Sequence, residues 1–281
     1  MLYLFATSLS GSCTSSLVKV AISAVRSKHI DLGLRCDTAN MLTLKRVLEG
    51  ISRVRASTPK YVRQPVTTSI LAQFTSILDS HVWEDRLFFA VACVATYGLL
   101  RTSEIFQSGP LDNPGLLVSD LHVVSNSRFS LTLRKSKTDQ RGQGVVVEFY
   151  ANNSPSCPCR AFLLGYWSHM RGKLSLNSPL FCYSPSLPYT KHAFVTKLRV
   201  VVQRLGLNPK EFSGHSFRRG GATSLAANGV ADSTIKTIGR WRSVAYQVYI
   251  DTSEDSKRQA SMVMARSTCN SVKRVWGQPQ H

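Results

Sequence analysis

Acidic side chains are scarce in this 281-residue chain: 16 Asp and Glu stand against 35 Lys and Arg, giving a formal charge of +19. Such a deficit points to a polyanionic partner, nucleic acid first. Long hydrophobic runs are missing as well. The longest, 87–100, is interrupted by Thr96 and Gly98 and is too short to cross a bilayer, so it reads as a buried core helix rather than a membrane span. The opening Met1–Ala6 lacks a basic n-region and a sufficiently long apolar stretch, which excludes a secretory signal. Metal-ligand spacing is also lacking. The seven cysteines are scattered, and Cys157-Pro158-Cys159 has neither a second Cys pair nor a His pair at zinc spacing. Their odd number fits reduced thiols in a cytosolic or nuclear protein. Neither an internal repeat nor a low-complexity tract occurs.

What is present describes a globular chain, 43% hydrophobic and 18% charged, with room for two compact domains. Apolar residues recur at helical spacing in 16–30, through Leu17, Val20, Ala21, Ala24 and Val25, and in 41–55, through Leu44, Val47, Leu48, Ile51 and Val54. The opposite faces carry Lys19, Arg26, Lys28, Lys45, Arg46, Arg53 and Arg55, a basic helical unit over 1–56 suited to gripping DNA. Two prolines and few apolar residues mark 57–65 as a linker. From 66 to 281 helices dominate: the pattern predicts helices over 67–80, 83–97, 160–170 and 192–205, with Gly98 closing the second. Alternation in 129–134 and 145–150 predicts a hairpin. The expected fold is mainly α with a small antiparallel β-sheet.

Chemistry concentrates in a few segments. In Gly214-His215-Ser216-Phe217-Arg218-Arg219-Gly220-Gly221-Ala222, His215 and Arg218 fall one helical turn apart, so both leave one face and can grip one phosphate. The trailing glycines let that helix approach its neighbours closely. Downstream, Trp241 in Gly239-Arg240-Trp241 supplies an indole donor and Tyr249 a phenolic nucleophile, completing a phosphoryl-transfer set without metal ligands. Tyr246 precedes Tyr249 by one turn and reads as packing or contacting DNA. Upstream, Arg101 follows the apolar run in Gly98-Leu99-Leu100-Arg101-Thr102-Ser103-Glu104, where Glu104 can orient it. At the hairpin turn stand Lys135 and Lys137. A mobile ammonium there can protonate a leaving oxygen when neighbouring arginines lower its pKa.

In this chain order the segments resemble the tyrosine recombinase (phage-integrase) family over nearly the whole chain. The Ser136-flanked lysine, the Gly-Arg-Trp and the Cys-Pro contexts are similar to the Crypton and DIRS-type branch of eukaryotic mobile elements. The resemblance implies a helical core-binding (SAM-like) domain over 1–56 and a catalytic domain over 66–281. It assigns Arg101, Lys137, His215, Arg218, Trp241 and Tyr249 as catalytic residues with Glu104 in support, and favours Lys137 over Lys135 and Tyr249 over Tyr246. Tyr249 would form a 3′-phosphotyrosyl bond and free a 5′-hydroxyl, with no cofactor. The implied partner is double-stranded DNA, bound by a homotetramer on two sites, in the nucleus; the segment 253–267 would dock on a neighbouring protomer. The chain departs from the family pattern at Leu100, an additional residue in the first arginine motif. It departs again before 16–30, where only a stub precedes the helix, so the opening helix of the clamp is expected to be shortened or absent. The alternative reading is a recombinase-derived DNA-binding protein that no longer cleaves.

Overall fold

The structure, a computed structural model, describes residues 1–34, 37–38, 41–55, 63–107, 114–134, 144–241 and 247. The chain divides into two compact units, Met1–Tyr61 and Val62–His281.

The first unit holds three helices among the described residues: α1 (Leu2–Ser10), α2 (Ser15–Asp31) and α3 (Leu42–Arg55). Thr14 caps α2, its hydroxyl accepting from the Leu17 N–H at 3.3 Å. The segment expected to be a stub is a nine-residue helix, because Leu2, Ala6 and Leu9 share one face and pack with Val18, Ile22 and Leu44. That core also corrects the phase expected for α2. Val18 and Ile22 are buried, whereas Leu17 and Val20 are 54% and 63% exposed: the apolar positions on both sides of α2 left two phases open to periodicity alone, and packing against α1 and α3 selects one. On α3 the buried side carries Leu44, Val47, Leu48 and Ile51 as expected, but Val54 is exposed. Lys19, Arg26, Lys28, Lys45, Arg46 and Arg53 are all exposed.

The second unit is built around α5 (Trp83–Tyr97), preceded by the short α4 (Thr68–Gln73) and one 3₁₀ turn (Phe74–Ser76). Glu84 and Asp85 in its first turn complement the helix dipole. Leu87, Phe88, Val91, Val94 and other side chains around its circumference are buried, as befits a central helix. A four-residue α6 (Thr102–Ile105) follows. Next comes a three-stranded antiparallel sheet in the order β1 (Leu121–Ser125), β2 (Arg128–Leu133), β3 (Val145–Tyr150). The expected hairpin is β2 with β3, in which Phe129 faces Phe149 and the rings stack at 4.5 Å. The added strand β1 lies at the sheet edge with Val123 and Val124 both exposed, so no alternation announces it. A π-helix (Arg160–Trp167) running into α7 (Ser168–Met170) replaces the α-helix expected over 160–170. Cys157 and Cys159 are buried beside it; the Cys159 thiol donates to the Ser127 carbonyl and Cys157 accepts from the Asn152 N–H. A small pair, β4 (Cys182–Ser184) with β5 (Leu187–Pro188), leads to α8 (Lys191–Arg204), α9 (His215–Ala227) and α10 (Asp232–Ile238). The whole is mainly helical with a small antiparallel sheet, and among the described residues no helix is long and apolar enough to cross a membrane.

The segment leading into α4, and its first residue, are sewn onto α9 and the 3₁₀ turn (Pro209–Glu211) before it. Gln64 donates to the Glu211 carbonyl and Val66 to the Ser216 carbonyl, both at 2.9 Å, and the Thr68 N–H reaches the Ser224 hydroxyl at 3.0 Å. Gly220 makes this contact possible, since a Cβ there would lie 1.8 Å from the Val66 carbonyl oxygen. Gly220→Ala is therefore expected to cost at least ~1–3 kcal/mol of unfolding free energy, because backbone rather than a flexible side chain must yield. Urea unfolding beside Gly165→Ala, whose Cβ would meet nothing closer than 3.6 Å, provides the comparison.

Candidate functional site

Two turns of the same kind form the site. Helix α5 ends with Gly98 as its last half-helical residue and Leu99 in the left-handed conformation at φ 46°. The Leu99 N–H returns to the Thr96 carbonyl and the Leu100 N–H to the Ala95 carbonyl at 3.0 Å, the paired bonds of a Schellman termination. Helix α10 ends identically: Gly239 closes it, Arg240 is left-handed at φ 57°, and Arg240 and Trp241 donate back to Thr237 and Lys236, both at 3.0 Å. In each turn the glycine sits one residue before the left-handed position that glycine usually takes. Both are needed there for space. A Cβ on Gly98 would meet the Phe149 ring at 2.8 Å, and one on Gly239 would meet the Trp241 ring at 1.6 Å. Leu99 and Arg240 are the two non-glycine residues with positive φ among those described, and each stores ~1–3 kcal/mol of backbone strain.

Side chains tie the two turns together. Arg218, on the first turn of α9 and only 4% exposed, donates one nitrogen to the Leu99 carbonyl and another to the Gly239 carbonyl. The Trp241 ring covers its guanidinium at 4.2 Å, a cation–π contact. Arg101 stands at the start of α6, where its backbone N–H donates to Glu104 Oε2 at 2.8 Å and its guanidinium to Oε1 at 2.7 Å. The Glu104 side chain, 3% exposed, also receives the Arg240 guanidinium at 3.1 Å. Helix α9 is brought alongside by its glycines: a Cβ on Gly221 would lie 2.4 Å from the Thr96 carbonyl oxygen, and one on Gly214 2.3 Å from Thr102 Cγ2. The close approach at Gly214 sets His215 beside the turn that carries Arg101.

His215 is surrounded by positive charge. Partial desolvation of the ring lowers its pKa first, and Lys191, Arg218, Arg101 and Arg63 lower it further. A neutral imidazole at pH 7 can accept a proton, and the same cations that disfavour imidazolium favour a phosphate in its place. The folded protein keeps His215 neutral below its ordinary value of 6.5, so the unfolded chain binds more protons in the window beneath that value. Stability contributed by His215 is complete above it and is lost as pH falls through the window. Urea unfolding at about pH 7.5 and about pH 5.5 is expected to show a larger acid loss for the wild type than for His215→Gln.

The structure thus brings Arg101, Glu104, His215, Arg218 and Trp241 to one place from α5–α6, α9 and the turn after α10. Lys135, Lys137, Tyr246, Tyr249 and the segment 253–267 lie outside the described residues. Sequence reasoning missed Arg240, Arg63 and Lys191. No local signal marks the three: only tertiary structure brings Arg240 to Glu104, and Arg63 and Lys191 to His215. Burial, and Arg101 nearby, depress the Arg240 pKa while Glu104 opposes them.

No protein-family model matches the sequence, and no similar sequence is found among curated proteins. Solved structures do match. A XerH site-specific recombinase bound to a palindromic difH substrate, a post-cleavage complex, is 15% identical over 94% of this chain and 72% of its own, with a TM-score of 0.65. The Tn1549 transposon integrase in complex with circular intermediate DNA is 17% identical over 92% of this chain and 83% of its own, with a TM-score of 0.58. XerA recombinase, 17% identical, is matched over 94% of this chain and 97% of its own, with a TM-score of 0.52. At such identity the likeness is one of fold: this chain has the fold that these recombinases and the integrase share.

Proposed function

We propose that the protein cleaves and rejoins DNA strands through a 3′-phosphotyrosyl intermediate, as the recombinase or integrase of a mobile element. The observation that carries this reading is the meeting of Arg101 and His215 with Arg218 and Trp241 around one pair of helix ends, on a fold shared with recombinases. In the reaction, the Tyr249 oxygen attacks phosphorus and gives its proton to neutral His215. The bond from phosphorus to the 5′ oxygen breaks, and that oxygen takes a proton from Lys137. Arg101 and Arg218 hold the nonbridging oxygens as charge develops. The phosphotyrosyl bond conserves the energy of the phosphodiester, so a second 5′-hydroxyl can reverse the step on another strand. The exposed cations of α2 and α3 suit a core-binding domain that grips the duplex, and a homotetramer on two DNA sites within the nucleus would serve strand exchange. The branch assignment, to Crypton and DIRS-type elements, rests on the motif contexts alone.

A nicked suicide duplex, from which the 5′-hydroxyl fragment diffuses away after cleavage, tests the proposal. The expected result is a protein–DNA adduct stable to denaturation, mapped by peptide mass spectrometry to Tyr249 and unchanged in yield by EDTA. An adduct on another residue, or none, refutes it. One observation favours a second reading, a DNA-binding protein without cleavage: Arg218 is 4% exposed and directs two nitrogens to backbone carbonyls. Binding without any adduct would select that reading. Under either, duplex affinity is expected to fall steeply with salt, with log K against log salt sloping by about −0.9 for each phosphate neutralised; fluorescence anisotropy across a salt series measures it.

A further inference from the structure

Arg240 joins the two Schellman turns. Its guanidinium donates to the Gly98 carbonyl at 3.1 Å and the Leu99 carbonyl at 3.0 Å, which end α5, and to its own Ile238 carbonyl at 3.2 Å. It also reaches Glu104 Oε2 at 3.1 Å, while Arg101 holds the other oxygen of the same carboxylate. The side chain is 8% exposed, so these bonds form in a largely dry setting where they fix geometry. The backbone at Arg240 is left-handed at φ 57°, a conformation that the neighbouring contacts must sustain. The Leu99 turn that it grips, left-handed in its own right, also accepts from Arg218. Two left-handed turns, Arg101 and Arg218 are thereby linked through one guanidinium and one carboxylate.

Resting on the strand-cleavage reading, we infer that Arg240 is a positioning residue: acting through Glu104 and the carbonyls that end α5, it fixes the guanidinium of Arg101 at the angle needed to hold the transition-state phosphate. Its planar fork suits this task because it bridges a carboxylate and two carbonyls at once, which a lysine cannot do. Phosphate contact is left to Arg101. Loss of Arg240 should therefore slow chemistry more than it weakens DNA binding.

The clean variant is Arg240→Gly, because glycine adopts the left-handed backbone without strain and removes only the side chain. Single-turnover adduct formation at saturating suicide duplex is expected to slow about 10- to 100-fold, with the duplex dissociation constant little changed. Arg240→Lys should recover part of the rate by pairing with Glu104. Glu104→Gln should slow the reaction too, and the double variant should be no slower than the slower single one, since both changes break one linkage. Full activity in Arg240→Gly, or multiplying effects in the double variant, overturns the inference. If the wild type itself forms no adduct, the cleavage reading fails, and Arg240 is judged by phenylglyoxal modification of Arg101. Faster modification in Arg240→Gly upholds the positioning role, and an unchanged rate overturns it.

Discussion

Tyr249→Phe is expected to abolish the covalent DNA adduct completely while leaving noncovalent duplex binding nearly unchanged. Only the nucleophilic oxygen is lost; the ring, and any packing it makes, is retained. A phenylalanine can bond to phosphorus through no atom, so the predicted loss is total rather than a fraction of the rate. Tyr246→Phe is the matched comparison, and it should still form the adduct. Denaturing gels of a labelled nicked duplex, read beside native gel shifts of the same samples, separate the two effects. An adduct formed by Tyr249→Phe would remove Tyr249 from the mechanism.

The second large effect belongs to Arg218→Ala. Two consequences combine there and act on different observables. The guanidinium ties the Leu99 carbonyl to the Gly239 carbonyl beneath the Trp241 ring, and hydrogen bonds to a charged group contribute ~1.5–3 kcal/mol each to stability. Arg240 still serves Leu99, so the larger share of the loss falls on the Gly239 turn and on Trp241. We expect unfolding free energy to drop by ~3 kcal/mol. Adduct formation should fall by ~10²–10³-fold, the usual effect of removing one preorganised donor from developing charge. Measuring the rate well below the variant's melting temperature keeps the effects apart, and Arg218→Lys refines the comparison. It keeps the charge but cannot span two carbonyls, so it should recover less stability than a purely Coulombic role would predict. A wild-type cleavage rate in Arg218→Ala would reduce this residue to a structural strut.

Much of this arrangement is legible from sequence where periodicity is strong or a motif is long. Helix α5 matches its expected bounds at 83–97, and the alternation of Phe129, Leu131 and Leu133 gives the hairpin. Misreadings occur where the physical signal is weak. In α2 the apolar residues offered two faces, and only contact with α1 and α3 decides between them. The edge strand β1 has neighbouring valines exposed, so its pairing with β2 leaves no mark on the pattern. A π-helix closes its bonds one residue further along than an α-helix, so its apolar repeat departs from the α-helical pattern. In the site, Arg101, His215 and Arg218 stand out because a charge beside an apolar run and a His-x-x-Arg pair demand explanation. Arg240 does not. Its importance comes from a left-handed backbone and a shared carboxylate, and neither is written in local sequence.

The site's ties are long in sequence: Leu99 meets Arg218 across 119 residues, and Glu104 meets Arg240 across 136. Closing loops of such length is entropically costly and comes late in folding. A nascent chain that has emerged only as far as β3 already carries Arg101 and Glu104, yet none of the groups that α9 and the turn after α10 bring to them. On the strand-cleavage reading proposed above, a product that stops short of Tyr249 lacks the nucleophile, so cutting would be withheld until synthesis has passed that residue.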